Sequence, residues 1–423
     1  MRILLLTNLY PPHVLGGAEI VARDYAVELQ KLGHDVTVLT STYGLSHAEK
    51  DKHIWRTLHY TPSARFDRNR PALRQLHLLT DYYRYFHYSP NVKELHRAIA
   101  ELQPDVIYVW EITGIGLNTM LQALNQVHIP IVFHLESYWL HYALSPQTEQ
   151  TQLRTRWLKK LLIGSVPSLT YASMIAASEA VKQEYAEAGC DAARIEVIYN
   201  GIDARFLSLP SQNDRTSHTG TLGLAQDTQL IYVGRLCVEK GVMVILKALD
   251  LLVHEQGKSH FHLNIFGDGD EAYIKELHSF IQAKQLDALV TFHGKVAQDE
   301  LMRGYDQSDI MLIPSIWKEP FGLVVAEGMA RGLPVITSNL GGPAEIVTHD
   351  VDGLLLEPGN EQALAAAILQ LSENPAKCHQ LAQAARETVR SRFLIESNAQ
   401  RVEQHLQRSL QPTTSNSAQH ILV

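Results

Sequence analysis

The stretch Pro314–Ile336, PSIWKEPFGLVVAEGMARGLPVI, decides how this chain is to be read. It sets two glutamates, Glu319 and Glu327, eight positions apart, with Phe321, Gly322 and Leu323 between them. On one helix, eight steps of roughly 100° leave two side chains about 80° apart, so the acids neither share a face nor form an i,i+4 pair. Pro320 separates them, because its fixed φ and missing amide hydrogen suit a helix entrance and not an interior. The stretch therefore predicts a loop carrying Glu319 and a helix opening at Pro320, with Glu327 one to two turns inside it. The amides of Phe321, Gly322 and Leu323 would then lack intrahelical partners. Outward-facing amides beside a small glycine and a carboxylate suit anions and sugar hydroxyls.

Working outward, Ile310–Ile313 and Val335–Thr337 are short apolar runs on either side, read as buried parallel strands. Leu230–Gly234, His262–Phe266 and Val290–His293 complete the same series. An earlier series comprises Ile3–Thr7, Asp35–Thr40, Val106–Trp110, Ile131–His134 and Met174–Ala177. Glu19–Lys31 is an amphipathic helix closed by Leu32-Gly33. Two open α/β units in tandem predict an α/β fold of two Rossmann-like, doubly wound domains, with ligands at the carboxyl ends of both sheets. The join is expected near Ile195–Asp203, where VIYNGID passes from strand to turn. Ser211–Gly223 reads as an exposed loop. Ala376–Leu410 is strongly helical, and residues 411–423 read as a disordered tail.

A chain of 423 residues is too long for one core and suits two domains. Its 45% hydrophobic and 19% charged residues are those of a soluble globular protein. With 37 basic and 45 acidic residues the net charge is −8, which gives no reason to expect nucleic-acid binding. Cys190, Cys237 and Cys378 are few, odd in number and far apart, so no disulfide framework is expected and a reducing compartment fits. The apolar run Ile3–Leu6 is too short for a signal segment. No window reaches eighteen apolar residues, so no membrane span is expected. A cytoplasmic location follows as the expectation. Leu153–Leu162, LRTRWLKKLL, is basic and amphipathic. It reads as an ordinary surface helix or as one lying on the inner membrane face, where a lipid-linked acceptor would be met. Between residues 44 and 100, Tyr82, Tyr83, Tyr85, Phe86 and Tyr88 lie among several arginines, including Arg65, Arg68, Arg70, Arg74 and Arg84. They either complete a core or form an acceptor lid.

Four further segments carry chemistry. Ile231–Gly241, IYVGRLCVEKG, puts Arg235 and Lys240 after a strand and a Gly234 turn, where two cations could neutralise a departing diphosphate. Pro11–Glu19, PPHVLGGAE, brings Gly16 and Gly17 between the first strand and helix, either for close approach of a phosphate or for a tight turn needing positive φ. Its spacing is not the G-x-G-x-x-G of a dinucleotide site. Phe133-His134-Leu135-Glu136 ends a strand, and Glu111 follows the preceding one. Gly267-Asp268-Gly269-Asp270 contains a D-x-D that metal-dependent enzymes of another fold use. Here it is read as a turn, with no metal.

Together, EPFGLVVAEGMARGLPVI and IYVGRLCVEKG resemble the E-x7-E signature and the G-R-x-x-x-x-K-G motif of retaining glycosyltransferases of family 4. That family has the GT-B fold: two Rossmann-like domains facing a central cleft, with a C-terminal helix crossing back to the first. The resemblance implies an acceptor-binding domain over residues 1–198, joined by a crossing-back helix at 391–410. A nucleotide-sugar-binding domain over 199–390 would complete the pair. It implies a UDP- or GDP-sugar as co-substrate, no other cofactor, and a saccharide, lipid-linked or small-molecule acceptor. Arg235 and Lys240 would hold the diphosphate. Glu319, with the amides of Phe321, Gly322 and Leu323, would hold the donor sugar, and Glu327 the ribose. Gly16 and Gly17 resemble the family's GG loop and Gly267 its GDG turn. The amides near Lys295 and Val296, after His293-Gly294, would meet the base. His134 would contact the substrate or position the transition state, unless it is a satisfied structural histidine, and Glu111 and Glu136 would touch the acceptor. No double-displacement nucleophile stands out, so the family expectation is a front-face route. Two alternatives share this fold: a nucleotide-sugar 2-epimerase, which the FGLVVAE turn argues against, and a non-catalytic nucleotide-sugar sensor.

Overall fold

Runs of apolar residues buried on both faces fold as parallel strands, and they do so twice in this chain. The computed structural model describes residues 1–62, 75–140, 169, 171–208 and 227–411. The basic run Leu153–Leu162, the polar stretch Ser211–Gly223, Arg65 to Arg74 and the tail from residue 412 lie outside the described residues. The chain divides into two compact units, one of Met1–Ile198 with Asn398–Val423, the other of Tyr199–Ser397.

The first unit holds β1 (Arg2–Leu6), β2 (Asp35–Ser41), β3 (Glu49–Lys50), β4 (Ile54–Leu58), β5 (Val106–Val109), β6 (Ile131–Leu135), β7 (Ser173–Ala176) and β8 (Ile195–Val197). Their order is β3-β4-β2-β1-β5-β6-β7-β8. Every neighbouring pair is parallel except β3 with β4. From β1 the chain builds outward through β2 and β4, and from β5 it builds the other way. The strand order therefore reverses between β1 and β5, which opens a crevice beyond their carboxyl ends.

The second unit repeats the plan with β9 (Thr228–Val233), β10 (Phe261–Phe266), β11 (Val290–Gly294), β12 (Ile310–Ile313), β13 (Val335–Ser338) and β14 (Leu354–Leu356), in the order β11-β10-β9-β12-β13-β14. All of its pairs are parallel, and the order reverses between β9 and β12. Each sheet, with its order reversing near the middle, has the doubly wound Rossmann-like plan expected from the sequence. No helix among the described residues is long and apolar enough to cross a membrane. The three cysteines are thiols, two of them buried.

Two local expectations need correction. The helix after β12 runs Leu323–Ala330 and is capped by Gly322 at φ 99°, ψ 56°, so its first residue lies three beyond Pro320. Tertiary contacts delay it: Glu319 bridges Gly341, and the Gly342 amide donates to the Glu319 carbonyl at 2.8 Å, which holds the chain extended there. The helical run from Ala376 to Leu410 is two helices, Pro375–Arg392 and Ile395–Ser409. It breaks where Ile202 donates to the Phe393 carbonyl at 2.8 Å and accepts from the Ile395 amide at 3.0 Å. Those strand-like bonds replace the helical ones. Of the aromatic cluster, Tyr83 is exposed while Tyr85, Phe86 and Tyr88 are half-buried.

Candidate functional site

In the second unit two of the side chains picked out by sequence, Lys240 and Glu319, meet at the β9/β12 reversal. After β9 the chain passes Gly234 and Arg235 and makes a short turn, Val238–Lys240, ending on Gly241 at φ 73°. A Cβ at Gly241 would stand 2.0 Å from the Pro314 carbonyl, so only glycine lets this turn press against the segment leaving β12. The Ile316 amide donates to the Glu239 carbonyl at 2.9 Å and fixes the contact. Lys240 Nζ consequently lies 2.6 Å from Glu319 Oε1 and 2.7 Å from Oε2. The Ser315 hydroxyl donates to Glu319 Oε1 at 2.5 Å. Glu319 is only 6% exposed, and a carboxylate so far out of water needs this counter-charge.

The Glu319 loop is also held from behind. Gly341, at φ 67°, packs so tightly that a Cβ there would come 2.4 Å from the Glu319 carbonyl. Phe321 is buried, its ring 5.8 Å from Phe393 and 6.3 Å from Tyr199, so its side chain anchors the loop and does not present itself to a ligand. Glu327 sits on the Leu323–Ala330 helix and accepts from the Tyr305 hydroxyl at 2.8 Å. Burial, and then the Glu327 carboxylate beside it, hold the Tyr305 phenol well above its ordinary range. Ser315, Tyr305, Gly341 and Gly342 were not singled out in the sequence. The only signal was the Gly-Gly-Pro run at 341–343.

Arg235 is exposed and makes no hydrogen bond or ion pair through its side chain with any described residue, while its carbonyl accepts from Tyr232 Oη at 2.9 Å. Gly234 donates to Phe266 O at 3.0 Å and Gly267 to Gly294 O at 2.8 Å, which ties the β9, β10 and β11 ends together. The D-x-D carboxylates serve the main chain. Asp268 accepts from Gly269 N at 2.8 Å, and Asp270 caps the Glu271–Ala283 helix through Ala272 and Tyr273. No group of three or more His, Cys, Asp or Glu that could hold a metal occurs among the described residues. Exposed Lys295 and half-buried Val296 follow β11, where His293 stacks on Phe266 at 4.2 Å.

The first unit has its own shallow recess at the β1/β5 reversal, lined by Thr7, Asn8, Ala18, Glu19, Trp110, Glu111 and Glu136. Gly16 and Gly17 are exposed beside it; neither has positive φ, so a turn needing that conformation is not their reason. A Cβ at Gly16 would meet nothing closer than Glu19 Oε2 at 3.9 Å, and its amide donates to that oxygen at 3.0 Å. Glu111 is raised to about 7, chiefly by burial and secondarily by the Glu19 charge, against the Thr113 hydroxyl bond of 2.5 Å.

His134 fits the structural alternative weighed for it. It is fully buried, with Nδ1 hydrogen-bonded to Tyr108 Oη and Nε2 standing 2.8 Å from Glu136 Oε1. The Trp110 ring lies 4.2 Å away. Direct contact with a sugar is not what this geometry offers. Glu136, two residues on, reaches the recess.

Two family profiles match the chain, one described as Glycosyltransferase Family 4 over residues 15–206 and the other as Glycosyl transferases group 1 over residues 215–388. An uncharacterised glycosyltransferase of Methanocaldococcus jannaschii is 27% identical, covering 86% of this chain and 87% of its own. A glycogen synthase of Mycobacterium tuberculosis is 28% identical, covering 93% and 91%. Among solved structures, Anabaena HepE in complex with UDP and glucose matches with a TM-score of 0.68 and 27% identity, over 96% of this chain and 99% of that one. A sucrose-phosphate synthase from Thermosynechococcus elongatus, at 22% identity, shares the fold with a TM-score of 0.73, over 96% and 99% of the two chains.

Proposed function

We propose that this chain, which belongs to the group 1 glycosyl transferases and is a GT-B enzyme, moves a sugar from a UDP-sugar to an acceptor hydroxyl with retention of configuration. The observation that carries the reading is the meeting of Lys240 and Glu319 at the β9/β12 reversal. One motif supplies a cation for a leaving diphosphate and the other supplies a carboxylate for sugar hydroxyls, so the two ends of a nucleotide sugar have adjacent partners. HepE, crystallised with UDP and with UDP-glucose, favours uridine over guanine in the donor.

In this reading the bond from the sugar C1 to the β-phosphate oxygen breaks, and the diphosphate leaves with that electron pair. Arg235 and Lys240 stabilise the charge that develops. The acceptor oxygen bonds C1 from the same face, and its proton passes to the departing phosphate oxygen. Glu319 and the first amides of the Leu323–Ala330 helix hold donor hydroxyls. Glu327, oriented by Tyr305, holds the ribose. Lys295 and Val296 offer main-chain groups to the base, as Gly234 and Gly267 do to the phosphates. In the first unit, the exposed backbone of Gly16 and Gly17, free of Cβ atoms, lets a donor phosphate or sugar approach, and Glu111 and Glu136 face the acceptor.

The test is incubation with UDP-glucose, UDP-galactose and UDP-N-acetylglucosamine and a panel of saccharide acceptors, reading UDP release and the anomeric configuration of the product by proton NMR. Acceptor-dependent UDP release with an α-linked product supports the proposal. A β-linked product refutes retention, and silence with every donor refutes the donor assignment.

A further inference from the structure

We infer that the recess at the β1/β5 reversal seats an acceptor sugar that is uncharged or carries an amine, and that it turns away phosphorylated and carboxylated acceptors. The inference rests on the transferase reading and narrows the acceptor class. Three of the lining side chains are carboxylic acids, Glu19, Glu111 and Glu136, and among the described residues none that lines the recess is basic. Two of the acids are held in place, Glu19 by the Gly16 amide and Glu111 by the Thr113 hydroxyl. Carboxylates accept from hydroxyls and ammonium groups, whereas a phosphate meets the like charge of Glu19 and Glu136.

A second observation points to a ligand. The Trp110 side chain lines the recess and is 2% exposed, and its indole Nε1–H has no hydrogen-bond partner among the described residues. A buried donor without an acceptor is costly, and a sugar hydroxyl or ring oxygen supplies one. The neighbourhood adds faces suited to sugar C–H groups. Tyr60 packs on the loop that follows Glu111, its ring 2.6 Å from where a Cβ at Gly114 would stand. Its ring lies 5.2 Å from that of Tyr43, which is 40% exposed and in turn 6.0 Å from His13. Carboxylates with adjacent aromatic rings recognise a polyhydroxylated ring and no anion.

The experiment uses the full chain, 15N-labelled on its tryptophans, with the Trp110 indole resonance assigned by Trp110→Phe. Glucose, glucosamine and glucose 6-phosphate are titrated separately. Glucose and glucosamine should move the Trp110 resonance, with glucose 6-phosphate binding about ten-fold or more weakly than glucose, and Glu136→Gln should narrow that gap. Glucose 6-phosphate binding as well as glucose, or no sugar moving the resonance, overturns the inference. UDP release from UDP-glucose is measured with the same three acceptors. Preferential transfer to glucose 6-phosphate overturns the acceptor class and leaves the transferase standing. Sugar binding at Trp110 with no UDP release from any donor overturns the transferase reading instead.

Discussion

Lys240 Nζ lies within 2.7 Å of both carboxylate oxygens of Glu319, 79 residues away in sequence. Sequence alone predicts that Lys240→Ala costs turnover and spares folding. The pair overturns the second half, because alanine leaves a buried carboxylate without its counter-charge. Lys240→Ala should lower turnover about 100-fold or more and destabilise the fold by roughly 2–4 kcal/mol, discounted from a fully buried pair because Lys240 is partly exposed. Lys240→Met with Glu319→Gln should recover most of that stability and none of the turnover. Urea unfolding read beside UDP release checks both, and a wild-type midpoint for Lys240→Ala contradicts the argument.

Tyr305 should matter for nucleotide binding although it is buried and remote from solvent. Its hydroxyl fixes one oxygen of Glu327 at 2.8 Å. Removing a hydrogen bond to a charged group costs about 1.5–3 kcal/mol, part of it paid in folding and part in binding. Tyr305→Phe should weaken UDP affinity by about three- to ten-fold while Lys240-dependent chemistry persists. Calorimetry of UDP binding decides, and an unchanged Kd argues against Glu327 as the ribose ligand.

Glu111 gives a pH signature. Its carboxyl is raised from 4.5 to about 7 in the folded chain, so between those values the folded state binds more protons than the unfolded state. Stability therefore falls as pH rises through this window, and the full cost is present above about pH 7, on the order of 2 kcal/mol after allowance for partial exposure. Glu111→Gln, which keeps an acceptor for Thr113, should raise Tm at pH 8 and change it little at pH 4.5. A variant equally stable to wild type at both values contradicts the shift.

The C-terminal helix carries a second titrating contact. His405 Nε2 lies 2.7 Å from Ser173 Oγ on β7, and Nδ1 lies 2.6 Å from Glu196 Oε2 on β8. Burial lowers the imidazole below 6.5, with Glu196 opposing. The unfolded state then binds more protons, so stability is complete above about pH 6.5 and is lost as pH falls through the lower folded value. Tm should drop between about pH 7 and 5, and less so in His405→Gln, measured as a difference against wild type. Equal slopes for both proteins exclude His405 as the cause.

What the sequence disclosed follows from where the information lies. Ile310–Ile313 was readable to the residue because an unbroken apolar run between polar ends has one burial solution. Ile54–Leu58, IWRTL, and Leu354–Leu356 were passed over because one is interrupted by Arg56 and Thr57 and the other is three residues long. Arg235, Lys240, Glu319 and Glu327 were found by motif, yet nothing local says that Lys240 and Glu319 touch. That contact depends on Gly241 meeting Pro314. His134 was visible as a strand-end residue, but its enclosure by Tyr108 and Trp110 is tertiary. The recess in the first unit was illegible as a unit because Glu19, Glu111 and Glu136 arrive from three separate segments.

The measurement that bears most directly on the central claim, a cation at the β9/β12 reversal gripping a nucleotide diphosphate, is calorimetric titration of UDP and of uridine into two proteins. The wild type should bind UDP far more tightly than uridine. The Lys240→Met, Glu319→Gln protein, which buries no unpaired charge, should lose about ten-fold or more of that preference while its affinity for uridine holds. An undiminished preference for UDP in the double variant would contradict the account.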